Sequence, residues 1–72
     1  MPRKKRDIKR DYRQAGFIER QGKGDHTNYS HPLLQDVYTV AGTDGDDARP
    51  YDEKNLRQAL KALEDAKRSQ QP

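Results

Sequence analysis

Residues 17–30 read Phe17-Ile18-Glu19-Arg20-Gln21-Gly22-Lys23-Gly24-Asp25-His26-Thr27-Asn28-Tyr29-Ser30. Gly22 and Gly24 allow positive φ, so residues 22–25 form a turn. The flanking segments, Phe17 to Gln21 and His26 to Ser30, are short and carry the branched and aromatic residues that suit a pleated surface. This is the pattern of an antiparallel hairpin. Pro32 removes a backbone donor and ends its second strand. Val37-Tyr38-Thr39-Val40 is β-branched and aromatic and reads as a third strand.

Working outward, helices flank the three strands. Over residues 3–15, Ile8, Tyr12 and Ala15 recur at helical spacing and form one narrow apolar stripe. Asp7 and Asp11 precede Lys or Arg by three to four places, which supports a helix. Gly16 stands where a left-handed residue would close it. After a long loop over 41–52, Asp52 is an N-cap for a second helix over roughly residues 53–67. Leu56, Ala59, Leu60, Leu63 and Ala66 form its stripe. Residues 68–72 read as a frayed polar tail. The expectation is an α+β domain over residues 3–67 with the order α-β-β-β-α. Its three-stranded antiparallel sheet has both helices on one face. The expected core is Ile8, Tyr12, Phe17 or Ile18, Tyr29, Tyr38 or Val37, Val40, Leu56, Leu60 and Leu63.

The apolar pool barely suffices. Of 72 residues, only ten are Leu, Ile, Val or Phe. That lies below the roughly 20% under which disorder becomes a serious prior. A chain of this size removes only about 60% of its surface from water on folding. The few apolar residues must therefore be well placed. No apolar run approaches the ~20 residues of a membrane span. With no cysteine there is no disulfide framework, thiolate zinc site or thiol catalysis. The basic N-terminal stretch is followed by no apolar segment, so it is not expected to be a secretory signal. Localisation in the reducing cytoplasm fits this composition.

The net charge of +3 conceals strong segregation. Residues 1–13 set seven Lys or Arg against Asp7 and Asp11, for +5. Residues 36–53 set six Asp or Glu against Arg49, for −5. Residues 54–72 return to +3. Basic ends around an acidic middle point to a polyanion partner for the basic parts. The run Pro2-Arg3-Lys4-Lys5-Arg6 also has the composition of a nuclear import signal. The acidic run at Asp44-Gly45-Asp46-Asp47 does not read as a calcium loop. Aligned on Asp44, an EF-hand needs an oxygen ligand, Gly and Glu where this chain has Ala48, Arg49 and Asn55. A flexible acidic loop is the plain account, and no metal site is expected.

The segment Gly24-Asp25-His26-Thr27-Asn28-Tyr29-Ser30-His31-Pro32 resembles the signature of the HicA family of small toxin ribonucleases. That signature is Gly-Ser-His, two variable residues, an aromatic, one variable residue, then often His-Pro. Asp25 departs from it, standing where serine or threonine is usual. Ala15-Gly16-Phe17, Tyr38-Thr39-Val40 and the segment from Asn55 to Lys61 resemble the family's helix end, third strand and closing helix. The resemblance covers about residues 8–63. It implies a double-stranded-RNA-binding-domain-like fold and cleavage of mRNA in the cytoplasm. It also implies inhibition by a HicB-like antitoxin protein, and places His26 at the catalytic histidine position.

The residue chemistry is compatible with that implication. RNA carries its own nucleophile, the 2′-hydroxyl, so cleavage needs a proton acceptor near it and positive charge on the phosphate. Histidine titrates in the range where proton transfer works at neutral pH. Lys23 in the glycine turn and Arg20 on the preceding strand are candidate phosphate contacts. The basic first helix adds Lys9 and Arg13. No cofactor is expected. His31 lies five residues from His26, so an extended chain sends the two rings to opposite faces. His31 is then a strand-end residue that fixes the turn with Pro32. Tyr29 shares the inward parity and belongs to the core. The free chain is expected to be a monomer. The competing readings are a non-catalytic RNA-binding module and a protein-interaction module on the same fold.

Overall fold

The computed structural model describes residues 3–69, so Pro2 of the basic run and residues 70–72 of the tail lie outside the described residues. The chain is α+β, with α1 (Lys5–Gln14), β1 (Ile18–Gln21), β2 (Thr27–Ser30), β3 (Tyr38–Val40) and α2 (Pro50–Ser69). The three strands form one antiparallel sheet in the order β1-β2-β3. Among the described residues, no helix is long and apolar enough to cross a membrane.

The end of α1 shows why its sequence stops where it does. Gly16 adopts φ +95°, the left-handed conformation that a side chain disfavours. Its amide donates to the Arg13 carbonyl at 3.0 Å, and the Phe17 amide donates to the Tyr12 carbonyl at 3.1 Å. This is the Schellman pair of hydrogen bonds, and its usual apolar contact is present. Phe17 meets Tyr12 edge-on with ring centroids 5.3 Å apart. The helix therefore hands the chain directly to β1 with one aromatic already in the core.

The start of α1 has no side-chain acceptor at Lys4, and the chain solves this from a distance. The Lys5 amide donates to the Asp46 carbonyl at 2.8 Å, and the Arg6 amide to the Asp44 carbonyl at 3.2 Å. Asp7 reaches back to accept the Lys4 amide at 3.1 Å. Lys4 also forms an antiparallel bridge with Asp47, and the Ala48 amide donates to the Arg3 carbonyl. Helix-start amides that lack an intrahelical partner are thus satisfied by the acidic loop. The expected flexible loop over 41–52 is an ordered strap over 41–49.

Helix α2 begins earlier and ends later than its stripe suggests. Pro50 occupies the first helical position, where its missing amide costs nothing and its fixed φ suits the helix. Asp52 is not the N-cap. It lies in the first turn and accepts the Arg49 amide at 2.8 Å, which is the return half of a capping box. At the other end the helix continues through Ser69, so residues 68 and 69 of the expected tail are helical.

The core lies between the helices and one face of the sheet. It comprises Ile8, Tyr12, Phe17, Tyr29, Val40, Ala48, Leu56, Ala59 and Leu63. Tyr12 of α1 stacks on Tyr29 of β2 with centroids 4.5 Å apart and planes 10° apart. Both alternatives left open by the sequence are decided by strand parity. Phe17 is buried while Ile18 is exposed, and Tyr38 packs on the core while Val37 is exposed. Leu33 and Leu34, which follow Pro32 outside any strand, also pack against it. Leu60 is a correction. It remains 37% exposed, because α2 turns residues 52, 56, 59 and 63 inward and leaves position 60 on the flank.

Truncating a buried leucine on α2 should cost about 2–5 kcal/mol, as large-to-small core changes do. Leu56→Ala and Leu63→Ala should therefore lower the denaturant midpoint strongly, whereas Leu60→Ala should cost only about 1 kcal/mol. Equal losses at all three positions would return Leu60 to the core.

Candidate nucleic-acid interface

The register divides the sheet into two faces. Glu19 pairs with Tyr29 and Tyr29 with Tyr38, while Gln21 pairs with Thr27 and Thr27 with Val40. These rows include the buried Thr27, Tyr29 and Val40 and lie on the helix side. The alternate rows are Ile18 with Ser30, and Arg20 with Asn28 and Thr39. Among the described residues no helix covers them. Across this open face the Thr39 hydroxyl meets Asn28 Oδ1 at 2.8 Å.

His26 precedes β2 and shares the parity of Asn28, so it belongs to the open face. Its side chain is 55% exposed. The hairpin tip holds it by backbone alone. The Gly22 amide donates to the His26 carbonyl at 2.8 Å, and the His26 amide to the Lys23 carbonyl at 3.0 Å. A Cβ built on Gly22 would lie 3.3 Å from His26 Cβ and 3.1 Å from Asn28 Nδ2. The glycine therefore permits the close approach of its backbone to His26 and Asn28. Asp25 Oδ1 stands 3.9 Å from His26 Nε2. An exposed imidazole has the access that proton transfer to a bound polymer requires.

His31 is on the other side, as parity requires. Its Nδ1 accepts the Leu33 amide at 3.1 Å, and its carbonyl accepts the Leu34 amide at 3.0 Å. Its ring meets Phe17 edge-on at 5.4 Å. It shapes the turn through Pro32 and packs on the core. Tyr29 is fully buried, and its hydroxyl donates to Glu19 Oε2 at 2.6 Å.

The four candidate phosphate contacts separate into two pairs. Arg20 and Lys23 are exposed on the hairpin that carries His26 and make no ion pair among the described residues. Lys9 and Arg13 are already engaged within the chain. Lys9 Nζ lies 2.7 Å from Asp44 Oδ1, and its side chain is only 11% exposed. Arg13 donates to Glu19 Oε2 at 2.9 Å. The acidic strap, expected from the sequence to be a free loop, takes Lys9, whereas Arg13 is held by Glu19 on β1. The strap's carboxylates also take Lys4 at Asp47, 2.6 Å away. Arg3 bridges Asp11 and Glu53 at 2.7 and 2.6 Å. Most of the charge on the basic helix is spent inside the molecule.

These pairs shift the carboxylates in one direction. The hydrogen bond from Lys9 lowers the pKa of Asp44, and that from Arg3 lowers the pKa of Glu53. The Tyr29 hydroxyl, followed by Arg13, lowers that of Glu19. Burial raises the pKa of Tyr12 and Tyr29. Among the described residues, no group of three or more His, Asp or Glu side chains is placed to hold a metal ion. Comparison of the chain with protein-family models, curated proteins and solved structures finds no match.

The acid limb of stability follows from these shifts. A carboxylate whose pKa is lower folded than unfolded stabilises the fold above its unfolded value, and that contribution disappears as pH falls through the folded value. The midpoint of urea unfolding should therefore hold near neutrality and decline below about pH 4. Asp44→Asn should flatten that decline while lowering stability at pH 7. A variant with an unchanged acid limb would show that the Lys9–Asp44 pair does not contribute.

Proposed function

We propose that the chain is the toxin component of a type II toxin–antitoxin pair, a metal-independent endoribonuclease that cleaves mRNA. The observation that carries this reading is the exposed His26 beside side-chain-free Gly22, on a sheet face that also offers the unpaired Arg20 and Lys23. The Gly24 to Pro32 signature, the double-stranded-RNA-binding-domain-like element order and the resemblance to HicA support the same reading. In it, the chain acts as a cytoplasmic monomer and is silenced by a HicB-like antitoxin that covers this face.

The chemistry is transesterification. His26 accepts the proton of the 2′-hydroxyl as that oxygen attacks the adjacent phosphorus. The bond from phosphorus to the 5′-oxygen breaks, and the leaving oxygen takes up the proton from the imidazolium. A 2′,3′-cyclic phosphate remains, which water opens. Arg20 and Lys23 offset charge on the phosphate. Lys9 and Arg13 are not assigned contacts, because Asp44 and Glu19 hold them. A second reading, the non-catalytic RNA-binding module, is favoured by Asp25, whose carboxylate stands beside the imidazole where an anionic substrate would lie.

The test is cleavage of single-stranded RNA by the purified chain. His26→Ala should lower the rate by about 10²–10⁴ while leaving binding intact. A chelator should leave cleavage unchanged, and RNA methylated at the 2′-oxygen should bind without being cut. Affinity should fall steeply with salt, since phosphate contacts release counterions. Cleavage by His26→Ala at the wild-type rate would end the assignment. Salt-dependent binding without cleavage would select the non-catalytic module, and neither activity would select a protein-interaction module.

A further inference from the structure

Beside the candidate histidine lies a cleft that the cleavage chemistry does not use. It encloses about 460 Å3 between the hairpin tip, the strap and the first turn of α2. Lys5, Asp25, Asp46, Asp47, Arg49 and Tyr51 line it, together with Ala41 and Gly42. Asp25 belongs to both places, because its carboxylate lines the cleft and stands 3.9 Å from His26.

The lining has three chemical features. Tyr51 is a large aromatic left 55% exposed, with Lys5 Nζ 5.9 Å from its ring centroid. An exposed aromatic wall in a cleft beside a polymer-binding face is a stacking surface, and stacking is the common currency of single-stranded nucleic-acid binding. Arg49 is exposed, and its guanidinium is in no ion pair among the described residues. Among the carboxylates, Asp46 Oδ2 accepts the Thr43 amide at 3.0 Å and Asp47 Oδ1 takes Lys4. Asp25 has no hydrogen-bond donor from the protein among the described residues. The cleft therefore offers a stacking wall, one free acceptor fork and one free donor fork.

We propose that this cleft is a nucleobase subsite selective for guanine. The inference rests on the RNA reading above and names the base that the site prefers. Guanine is the one standard base whose Watson–Crick edge presents two adjacent N–H donors, N1–H and the N2 amino group. A carboxylate accepts both with its two oxygens. Asp25 is that carboxylate, Arg49 donates to O6, and Tyr51 stacks on the ring. Adenine and cytosine place a ring acceptor beside their donor, and uracil flanks its one donor with acceptors, so each meets Asp25 with a repulsive atom. Three carboxylates stand against Arg49 and against Lys5, which is already paired to Asp52, so the cleft disfavours a phosphate. This role also accounts for a carboxylate at position 25, where the resembling family has a hydroxyl.

The experiment titrates the full chain with guanosine, adenosine and uridine monophosphates and follows backbone amide shifts by NMR. Guanosine monophosphate should move the amides of residues 25, 41–42, 46–49 and 51, with an affinity about 10-fold above the other two. Inosine monophosphate, which lacks the N2 amino group, should lose most of that margin. Tyr51→Ala should weaken binding about 5- to 100-fold, the range found for loss of one stacking partner, and Tyr51→Phe should restore it. Asp25→Asn should abolish the guanine preference while leaving the amide spectrum folded. Equal binding of all three nucleotides, or shifts lying elsewhere, would overturn the inference. Shifts at these amides from an arginine-containing peptide and from no nucleotide would overturn it in favour of a protein-docking cleft. Guanine-selective binding without RNA cleavage would keep the subsite and remove the nuclease reading. Cleavage without base preference would do the reverse.

Discussion

Lys5 and Asp52 form a buried ion pair, and the arrangement of the other elements depends on it. Lys5 Nζ lies 3.3 Å from Asp52 Oδ2, with side-chain exposures of 6% and 0%. The same ammonium donates to the Ala41 carbonyl. One cation thus joins the first turn of α1, the chain leaving β3 and the first turn of α2. Burying two charges carries a desolvation cost of several kcal/mol per ion, so the pair is weak evidence for stability as such. Its effect is on geometry. Losing either partner strands the other charge in the core, so the three segments hold one relative position. Asp52 Oδ1 has no hydrogen-bond partner among the described residues, which leaves this junction under-satisfied as well as buried.

From that junction the strap follows. With α2 held at Asp52 and β3 held at Ala41, the connecting residues have to cross the start of α1. There their carbonyls meet unpaired helix amides and their carboxylates meet lysines. The segregation of charge along the chain is therefore an internal match between a basic helix and an acidic strap. The cations left unpaired near the open sheet face, Arg20 and Lys23, lie on the hairpin, where among the described residues no strap carboxylate pairs with them. The position of the candidate interface is in this sense a consequence of where charge has already been neutralised.

The shortage of aliphatic residues is met by tyrosine. Tyr12 and Tyr29 are fully buried and stack in parallel, and Phe17 closes them from the edge. Aromatic rings bury much area per residue, which suits a chain with few apolar positions. The accompanying hydroxyls have to be satisfied. Tyr29 finds Glu19 directly across the strand pair, while the Tyr12 hydroxyl has no partner among the described residues.

The element order, the glycine that ends α1, the hairpin turn and the opposite faces of His26 and His31 were all legible in the chain, because each rests on local backbone preference or on strand parity. Tyr29 was legible as core for the same reason. Other features needed contacts far apart in sequence. Whether Lys9 faces solvent or Asp44 depends on residues 35 positions away, and no helical periodicity encodes it. Asp52 has the residue type of an N-cap, but it lies inside the first turn, where it accepts the Arg49 amide and pairs with Lys5 from the far end of the chain. Leu60 belongs to the stripe by spacing, but α2 buries the face of Leu56, Ala59 and Leu63 and leaves Leu60 on the flank. The cleft beside Asp25 has no sequence signal, because its walls come from the hairpin, the strap and α2. Local chemistry therefore determined the elements and the presentation of His26. Only tertiary structure, by bringing opposite charges together, decided which cations remain free and where a cavity opens.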